Sequence, residues 1–298
     1  MPLRIGLVGL GNMGVRMAAN IARSGFPLLV YNRTRAKAEA FAKSTNATVA
    51  SSPAEMAGAC DVLITMVSDG SVVEEIYGGP GGVLENLGPG IIAVEMSTIG
   101  PEAVLSLSSK LEARGGRLVD APVSGSVAFA ESAMLTVMAG GSADDVNAVR
   151  PVLETMSSKI FHLGPVGAGA AMKLAVNTIV YALSGALSEG LVLAERAGIA
   201  RSAAYEVFSS SAIAAPFVHY RRAAFERPEE TPVGCRLALA QKDMDLILAL
   251  AERLELALPQ AETNFNVLQA ASKSGLAMHD VSAVAEYLRG NVGGRRAK

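Results

Sequence analysis

Short runs of valine, isoleucine and leucine alternate with amphipathic stretches through the first half of the chain. The runs at 4–8, 28–31, 48–50, 62–66, 91–94 and 117–120 read as strands. The stretches between them, at 13–24, 36–44, 53–59, 72–76 and 101–114, read as helices. Strands that are apolar almost throughout, separated by helices, predict a parallel sheet covered on both faces. Gly25 and Gly115-Gly116 follow helical stretches, where a C-cap is expected. Two more strands are expected at 135–139 and 159–163. After Gly164-Pro165-Val166-Gly167 the strand signals stop. A long helical run at 168–197 ends at Gly198, and further helices fit 201–210, 216–225, 238–254, 260–274 and 281–289. The segment 227–232, with two prolines and two glutamates, reads as a loop.

Composition narrows the classes. The 298 residues are 50% hydrophobic, 18% charged and carry a net charge of −2, which describes a globular chain without a basic field for nucleic acid. Arg289, Arg295, Arg296 and Lys298 read as a solvated tail. Cys60 and Cys235 are far apart and the chain has three histidines, so neither a disulfide framework nor a metal site is expected. The N-terminal residues lead straight into a strand, with no secretory leader expected. The longest charge-free central span, 174–188, is short for a bilayer and carries Asn177, Thr178, Ser184 and Ser188. A cytoplasmic enzyme or binding protein, with no membrane association, is the expectation.

Gly9-Leu10-Gly11-Asn12-Met13-Gly14 matches G-x-G-x-x-G, follows a strand and opens a helix within the first βαβ unit. The first glycine permits the tight turn, the second lets backbone approach a pyrophosphate, and the third lets helix pack on strand. The pattern predicts an α/β fold: a Rossmann-type parallel-sheet domain at 1–164, then an all-helical domain at 165–298, joined by a long interdomain helix. At the end of the second strand an NAD site usually carries Asp or Glu for the ribose hydroxyls. This chain has Asn32-Arg33-Thr34 there, then Arg35. An arginine suits stacking on adenine and pairing with a 2′-phosphate, and Thr34 adds a hydroxyl, so NADP (NADPH) is favoured over NAD.

Lys173 and Asn177 are four residues apart, on one face of the long helix near its start, among Ala170, Leu174, Val180 and Tyr181. Burial and a helix N-terminus both disfavour an ammonium, which suits a group that gives and takes a proton. Upstream, Asp120-Ala121-Pro122-Val123-Ser124-Gly125-Ser126 reads as a turn whose hydroxyls and N–H groups can cradle a carboxylate.

These motifs, followed by Lys242-Asp243, occur in the order found in β-hydroxyacid dehydrogenases, the relatives of 3-hydroxyisobutyrate dehydrogenase, and the chain resembles that family over essentially its whole length. Asn32-Arg33-Thr34 and Val123-Ser124-Gly125-Ser126 resemble the NADPH-dependent glyoxylate and succinic semialdehyde reductase branch. The resemblance implies Lys173 as general acid/base and Asn177 as the group orienting substrate and lysine. It implies Ser124, Gly125 and Ser126 as the carboxylate loop, and Lys242 and Asp243 near nicotinamide and substrate. It implies Met66, Val67, Ser68, Ser97 and Thr98 as cofactor-lining residues. Ser97-Thr98 also follows a strand carboxyl end, where open α/β sheets bind ligands. The implied substrate is a small carboxylate-bearing aldehyde or hydroxy acid, and the implied assembly a homodimer or homotetramer with the long helix near the interface.

Two departures stand out. Many members have Gly where Ser126 stands, and the stretch where the family often has a Phe holds Cys235-Arg236 here. Arg236 reads either as a carboxylate contact or as a surface residue at a helix start. Imine reductases and reductive aminases resemble the same fold but usually carry Asp, Tyr or Asn at the lysine position. 6-Phosphogluconate dehydrogenase shares the early motifs but needs a longer helical half and several cations. A non-catalytic NADP-binding module would be expected to lose Lys173. The small residues Ala182, Ser184, Gly185 and Ala186 allow another helix to approach closely, within the domain or from a second subunit.

Overall fold

A computed structural model describes residues 2–290. The packing divides into two units, one up to Leu174 and one from Ala175 onward.

In the first unit the elements run β1 (Ile5–Val8), α1 (Gly14–Arg23), β2 (Leu28–Tyr31), α2 (Arg35–Lys43), β3 (Thr48–Val49), α3 (Pro53–Ala59), β4 (Val62–Thr65), α4 (Gly70–Gly78), β5 (Ile92–Glu95), α5 (Pro101–Glu112) and β6 (Arg117–Asp120). The six strands pair in parallel in the order β3-β2-β1-β4-β5-β6. The order reverses between β1 and β4, so ligands are expected at the strand ends beside that switch. Strands β1, β4 and β5 are buried at every residue. Alternate side chains point to opposite faces: Leu7, Ile64 and Val94 join one apolar cluster, while Leu63, Ala93 and Leu118 join the other. Helix starts are set by local chemistry. Ser52 accepts from Glu55 N at 3.1 Å and Asp69 from Val72 N at 3.1 Å, while Pro53 and Pro101 open their helices.

The remaining strands do not extend this sheet. Pro122 cannot donate to a ladder, and the chain turns into β7 (Val123–Ser124). The elements α6 (Val127–Glu131), β8 (Leu135–Ala139), α7 (Ala143–Leu153) and β9 (Ser157–His162) follow. They form a separate mixed sheet, β7-β8-β9, with β7 antiparallel to β8 and β9 parallel to it. Neither α6 nor α7 is expected from periodicity. Pro151 inside α7 reads as a breaker, yet Ser142 caps the helix by accepting from Asp145 N at 3.1 Å, and Asp144 and Asp145 fill its first turn.

Helix α8 (Ala168–Arg196) spans 29 residues. Alone among the described residues it is long and apolar enough to cross a bilayer. Its polar residues Asn177, Ser184 and Ser188 are buried in protein. The second unit continues with α9 (Arg201–Ser210), α10 (Pro216–Glu226), α11 (Leu237–Arg253), α12 (Pro259–Ala271) and α13 (Val284–Gly290). The helix expected at 260–274 stops at Ala271 and passes into a wide turn at Ser272–Leu276, where Gly275 has φ +99°. Tyr205, Val218, Phe225, Leu187 and Leu191 form a core of this unit. Arg289 is a correction to the solvated tail. It pairs with Glu195 at 2.5 Å and with Glu286, because α13 sets it beside both carboxylates. Arg295, Arg296 and Lys298 lie outside the described residues.

Candidate active site

The three glycines between β1 and α1 meet different constraints. Gly9 has φ +101°, and a Cβ there would stand 2.2 Å from the Met66 carbonyl oxygen. A Cβ on Gly14 would stand 2.0 Å from the Gly9 oxygen. Around the corresponding point on Gly11 nothing lies within 4 Å, leaving room for a phosphate to approach backbone. Met13 begins α1 with no side-chain cap and no acidic residue in the first turn. The leading N–H groups and the positive helix end therefore meet an anion unopposed. Leu10 and Asn12 belong to this loop, and Asn12 O accepts from Arg16 at 2.7 Å.

Asn32 clamps the loop. Its Oδ1 accepts from Leu10 N at 3.0 Å and its Nδ2 donates to Thr34 O at 3.0 Å. This side chain, expected at the cofactor, thus also shapes the loop. Beside it a groove of about 150 Å³ at the end of β2 is lined by Tyr31, Asn32, Arg33, Arg35, Val49 and Ser51 among others, with no carboxylate. Arg35 is paired with Glu39 at 2.8 Å, while the exposed Arg33 makes no bond to another described residue. Thr34 is exposed at the start of α2. An unpaired guanidinium, an aromatic ring and hydroxyls here could hold the adenosine end of a nicotinamide cofactor.

Two loops beyond β4 and β5 are tied together. Val67 N donates to Ser97 Oγ at 2.9 Å, and Ser97 N donates to Glu95 Oε1 at 2.8 Å. Ser97 is buried, so its hydroxyl sets the path of the loop carrying Met66, Val67 and Ser68. Thr98 is half-buried, and the exposed Ser68 donates to Asp69 at 2.7 Å. Glu95 is 1% exposed and its second oxygen has no partner among the described residues. Burial pushes this carboxyl up to about 7 from its ordinary 4.5, against the pull of the Ser97 bonds. The folded protein then holds a proton that the unfolded chain has released between pH 4.5 and 7, so stability falls as pH rises through that window. The loss is expected to be about 3 kcal/mol. Thermal melts at pH 5 and pH 8 should show it, and Glu95→Gln should remove most of the difference; a native protein that gains stability across the same window contradicts it.

Asp120 lies at the end of β6, fully buried. Its Oδ1 accepts from Gly167 N at 2.8 Å and its Oδ2 from Ala170 N at 2.7 Å. A carboxylate thus caps the first turn of α8. Burial pushes it up to about 6, and the two backbone bonds oppose that rise. The close approach needs Gly169, where a Cβ would stand 2.3 Å from Met138 O. In the following turn Ser124 pairs with Thr136 across β7 and β8 and is half-buried. Gly125 has φ +140°. Ser126 accepts from Phe129 N at 3.3 Å as the cap of α6, so part of its hydrogen-bonding capacity serves the fold.

In the second unit Asp243 collects three donors. Asn177 Nδ2 donates to its Oδ2 at 2.8 Å, Tyr181 OH donates to the same oxygen at 2.6 Å, and Lys242 Nζ pairs with Oδ1 at 2.8 Å. Asn177, Tyr181 and Asp243 are all buried. A carboxylate only accepts, so Asn177 must turn its amide nitrogen toward it. The Asn177 Oδ1 and its second N–H remain for other partners. Burial, and then the Asp243 charge, hold the Tyr181 hydroxyl protonated well above the usual phenol range. Lys173 stands one turn before Asn177 on α8, half-buried. Arg236 is exposed at the start of α11. Gly185 faces Asn264, 3.2 Å from its Cβ position, so here the small residues of α8 serve α12 of the same unit.

Sequence reasoning missed Glu95, Asp120 and Tyr181 as parts of the site. The signals were present: a carboxylate at the end of each of two apolar strands, and a tyrosine at i+4 from Asn177.

A family profile described as the NAD binding domain of 6-phosphogluconate dehydrogenase matches residues 4–164. A second, described as the NAD-binding domain of NADP-dependent 3-hydroxyisobutyrate dehydrogenase, matches residues 167–288. The chain is 33% identical over 287 residues to glyoxylate/succinic semialdehyde reductase 1 of Arabidopsis thaliana, covering 96% of this chain and 99% of that protein. It is 34% identical over 292 residues to the mitochondrial 3-hydroxyisobutyrate dehydrogenase of Drosophila melanogaster, covering 96% and 89%. A crystal structure of a 3-hydroxyisobutyrate dehydrogenase from Salmonella typhimurium superposes with a TM-score of 0.88 at 28% identity, covering 96% of this chain and 99% of that one.

Proposed function

This chain belongs to the β-hydroxyacid dehydrogenase family, whose members are NAD(P)-dependent oxidoreductases of hydroxy acids, and from that premise we propose that it uses NADPH to reduce a small carboxylate-bearing semialdehyde. The observation that carries the reading is Lys173 one turn from Asn177, with the Asn177 amide held by Asp243 and Tyr181.

When bound, the nicotinamide cofactor supplies the hydride. The backbone around Gly11 and the open end of α1 hold its phosphates. Arg33 takes the ribose phosphate, and the loops tied by Ser97 line the cofactor. Ser124, with the backbone N–H groups of the 124–126 turn, binds the substrate carboxylate and so fixes where the carbonyl carbon sits. Lys173 gives a proton from Nζ to the carbonyl oxygen as the alcohol forms, and takes it back in the oxidising direction. Asn177 orients that oxygen and the lysine, and Asp243 keeps Asn177 and Lys242 in place. A module that only bound NADP would have no use for this lysine, and the imine-reducing alternative usually lacks it. We place the enzyme in the cytoplasm, in keeping with two free cysteines. We expect a homodimer or homotetramer, supported by Met172, Ile179 and Leu193, which leave 42%, 70% and 73% of their surface exposed along α8.

The test is NADPH consumption across glyoxylate, succinic semialdehyde, methylmalonate semialdehyde and tartronate semialdehyde, with NADH alongside. NADPH-specific turnover of one aldehyde is expected. Arg33→Asp should lower kcat/KM for NADPH by about 10–100-fold, the worth of a lost charge-assisted pair, while use of NADH holds or improves. Equal use of both cofactors by the native protein would remove Arg33 from the phosphate site.

A further inference from the structure

We propose that the cavity between α8, α12 and the segment ending in α13 binds a small aliphatic amine that also carries a hydroxyl group. The cavity measures about 160 Å³ and lies wholly within the second unit. Two of its lining groups are buried and unsatisfied. Ser184 is 2% exposed and Asn264 8% exposed, and neither Ser184 Oγ nor Asn264 Nδ2 has a hydrogen-bond partner among the described residues. Folded proteins leave few buried polar atoms in that state. Asn264 Oδ1 accepts from Gln260 Nε2 at 3.2 Å, which leaves its Nδ2 as the unsatisfied atom. The cavity lining therefore offers an N–H donor and a hydroxyl, which match an oxygen that can both accept and donate.

Charge selects among molecules with such an oxygen. Among the described residues, Glu189, exposed on α8, is the one charged residue in the lining, and no described cation joins it. A carboxylate or phosphate ligand is repelled there, so the hydroxy acids of the proposed reaction do not fit. An ammonium is attracted. Val267, Val284 and Leu288 supply an apolar wall for a short carbon chain. The volume matches about five waters, enough for a chain of about three carbons with a polar group at each end. Tyr181 forms another wall and donates to Asp243.

The probe is 3-amino-1-propanol, titrated into the full chain in phosphate buffer free of amino alcohols, without cofactor or aldehyde. Saturation-transfer NMR and thermal shift read the binding. Propan-1-ol, propylamine and 3-hydroxypropionate are the comparisons. The amino alcohol should bind at least tenfold more tightly than 3-hydroxypropionate, with the two monofunctional molecules between. Asn264→Leu should abolish binding. Glu189→Gln should weaken binding of the amino alcohol about threefold, as expected for an exposed ion pair, and leave propan-1-ol unchanged. Absent binding, equal binding of all four, or binding indifferent to both substitutions overturns the proposal. A change of assembly mass in Asn264→Leu, read by light scattering, also overturns it by making the cavity an interface between copies. Should Asn264→Leu not fold, the exposed Glu189→Gln decides alone. Because no turnover is measured, a failure here leaves the semialdehyde reading standing, and a failure of that reading leaves this one standing.

Discussion

Lys173→Ala is expected to lower kcat by about 10²–10⁴-fold, the usual worth of a general acid/base. Binding of NADPH should be unchanged, because the phosphate and ribose contacts come from Gly11, the open end of α1 and Arg33. Single-turnover measurements with a saturating aldehyde separate the two effects, since they report the chemical step without product release. The loss should fall on kcat and kcat/KM alike, as for an interaction made only in the transition state. A small amine added to Lys173→Ala should restore part of the rate. Turnover close to that of the native protein would remove Lys173 from the reaction.

Asp120→Ala should cost about 3 kcal/mol of stability, because it strands two buried N–H groups at the start of α8, each worth roughly 1–3 kcal/mol. Those groups are Gly167 N and Ala170 N, both now within 2.8 Å of the carboxylate. Asp120→Asn retains an acceptor for one of them and should lie between. Lys173 sits one turn beyond Ala170, so fraying of this end should lower kcat more than it changes the KM for NADPH. Urea unfolding with an unchanged slope, run beside steady-state kinetics, checks both parts. If Asp120→Ala unfolds at the native midpoint, the capping account is wrong.

Much of the first unit can be read from the chain. Strands β1, β4 and β5 are apolar at nearly every position because helices cover both faces, and this makes them easy to place. The second sheet is harder. Its β7 is two residues long, and its position follows from Pro122 turning the chain, which no periodicity announces. Helix α7 is masked by Pro151 although its cap chemistry is complete. For the site, Lys173, Asn177, Lys242 and Asp243 are visible as motifs, but sequence does not tell which atom of Asn177 meets which neighbour. That follows from Asp243, an acceptor brought alongside from α11, 66 positions away. Asn32 and Ser97 were legible as members of cofactor loops. Only their hydrogen bonds show that both also shape those loops.

The glycine pattern carries less information about nucleotides than its three fixed letters suggest. Gly9 and Gly14 are demanded by the protein's own backbone, at 2.2 Å and 2.0 Å from carbonyl oxygens, and any tight strand-to-helix turn of this shape would demand them. Only Gly11 faces open space, so only that letter is imposed from outside the chain. A search pattern that weighs the three equally is mainly a detector of turns. A searcher asking which relatives of this fold have given up their nucleotide should look first at the middle position, where a side chain can be gained without disturbing the fold.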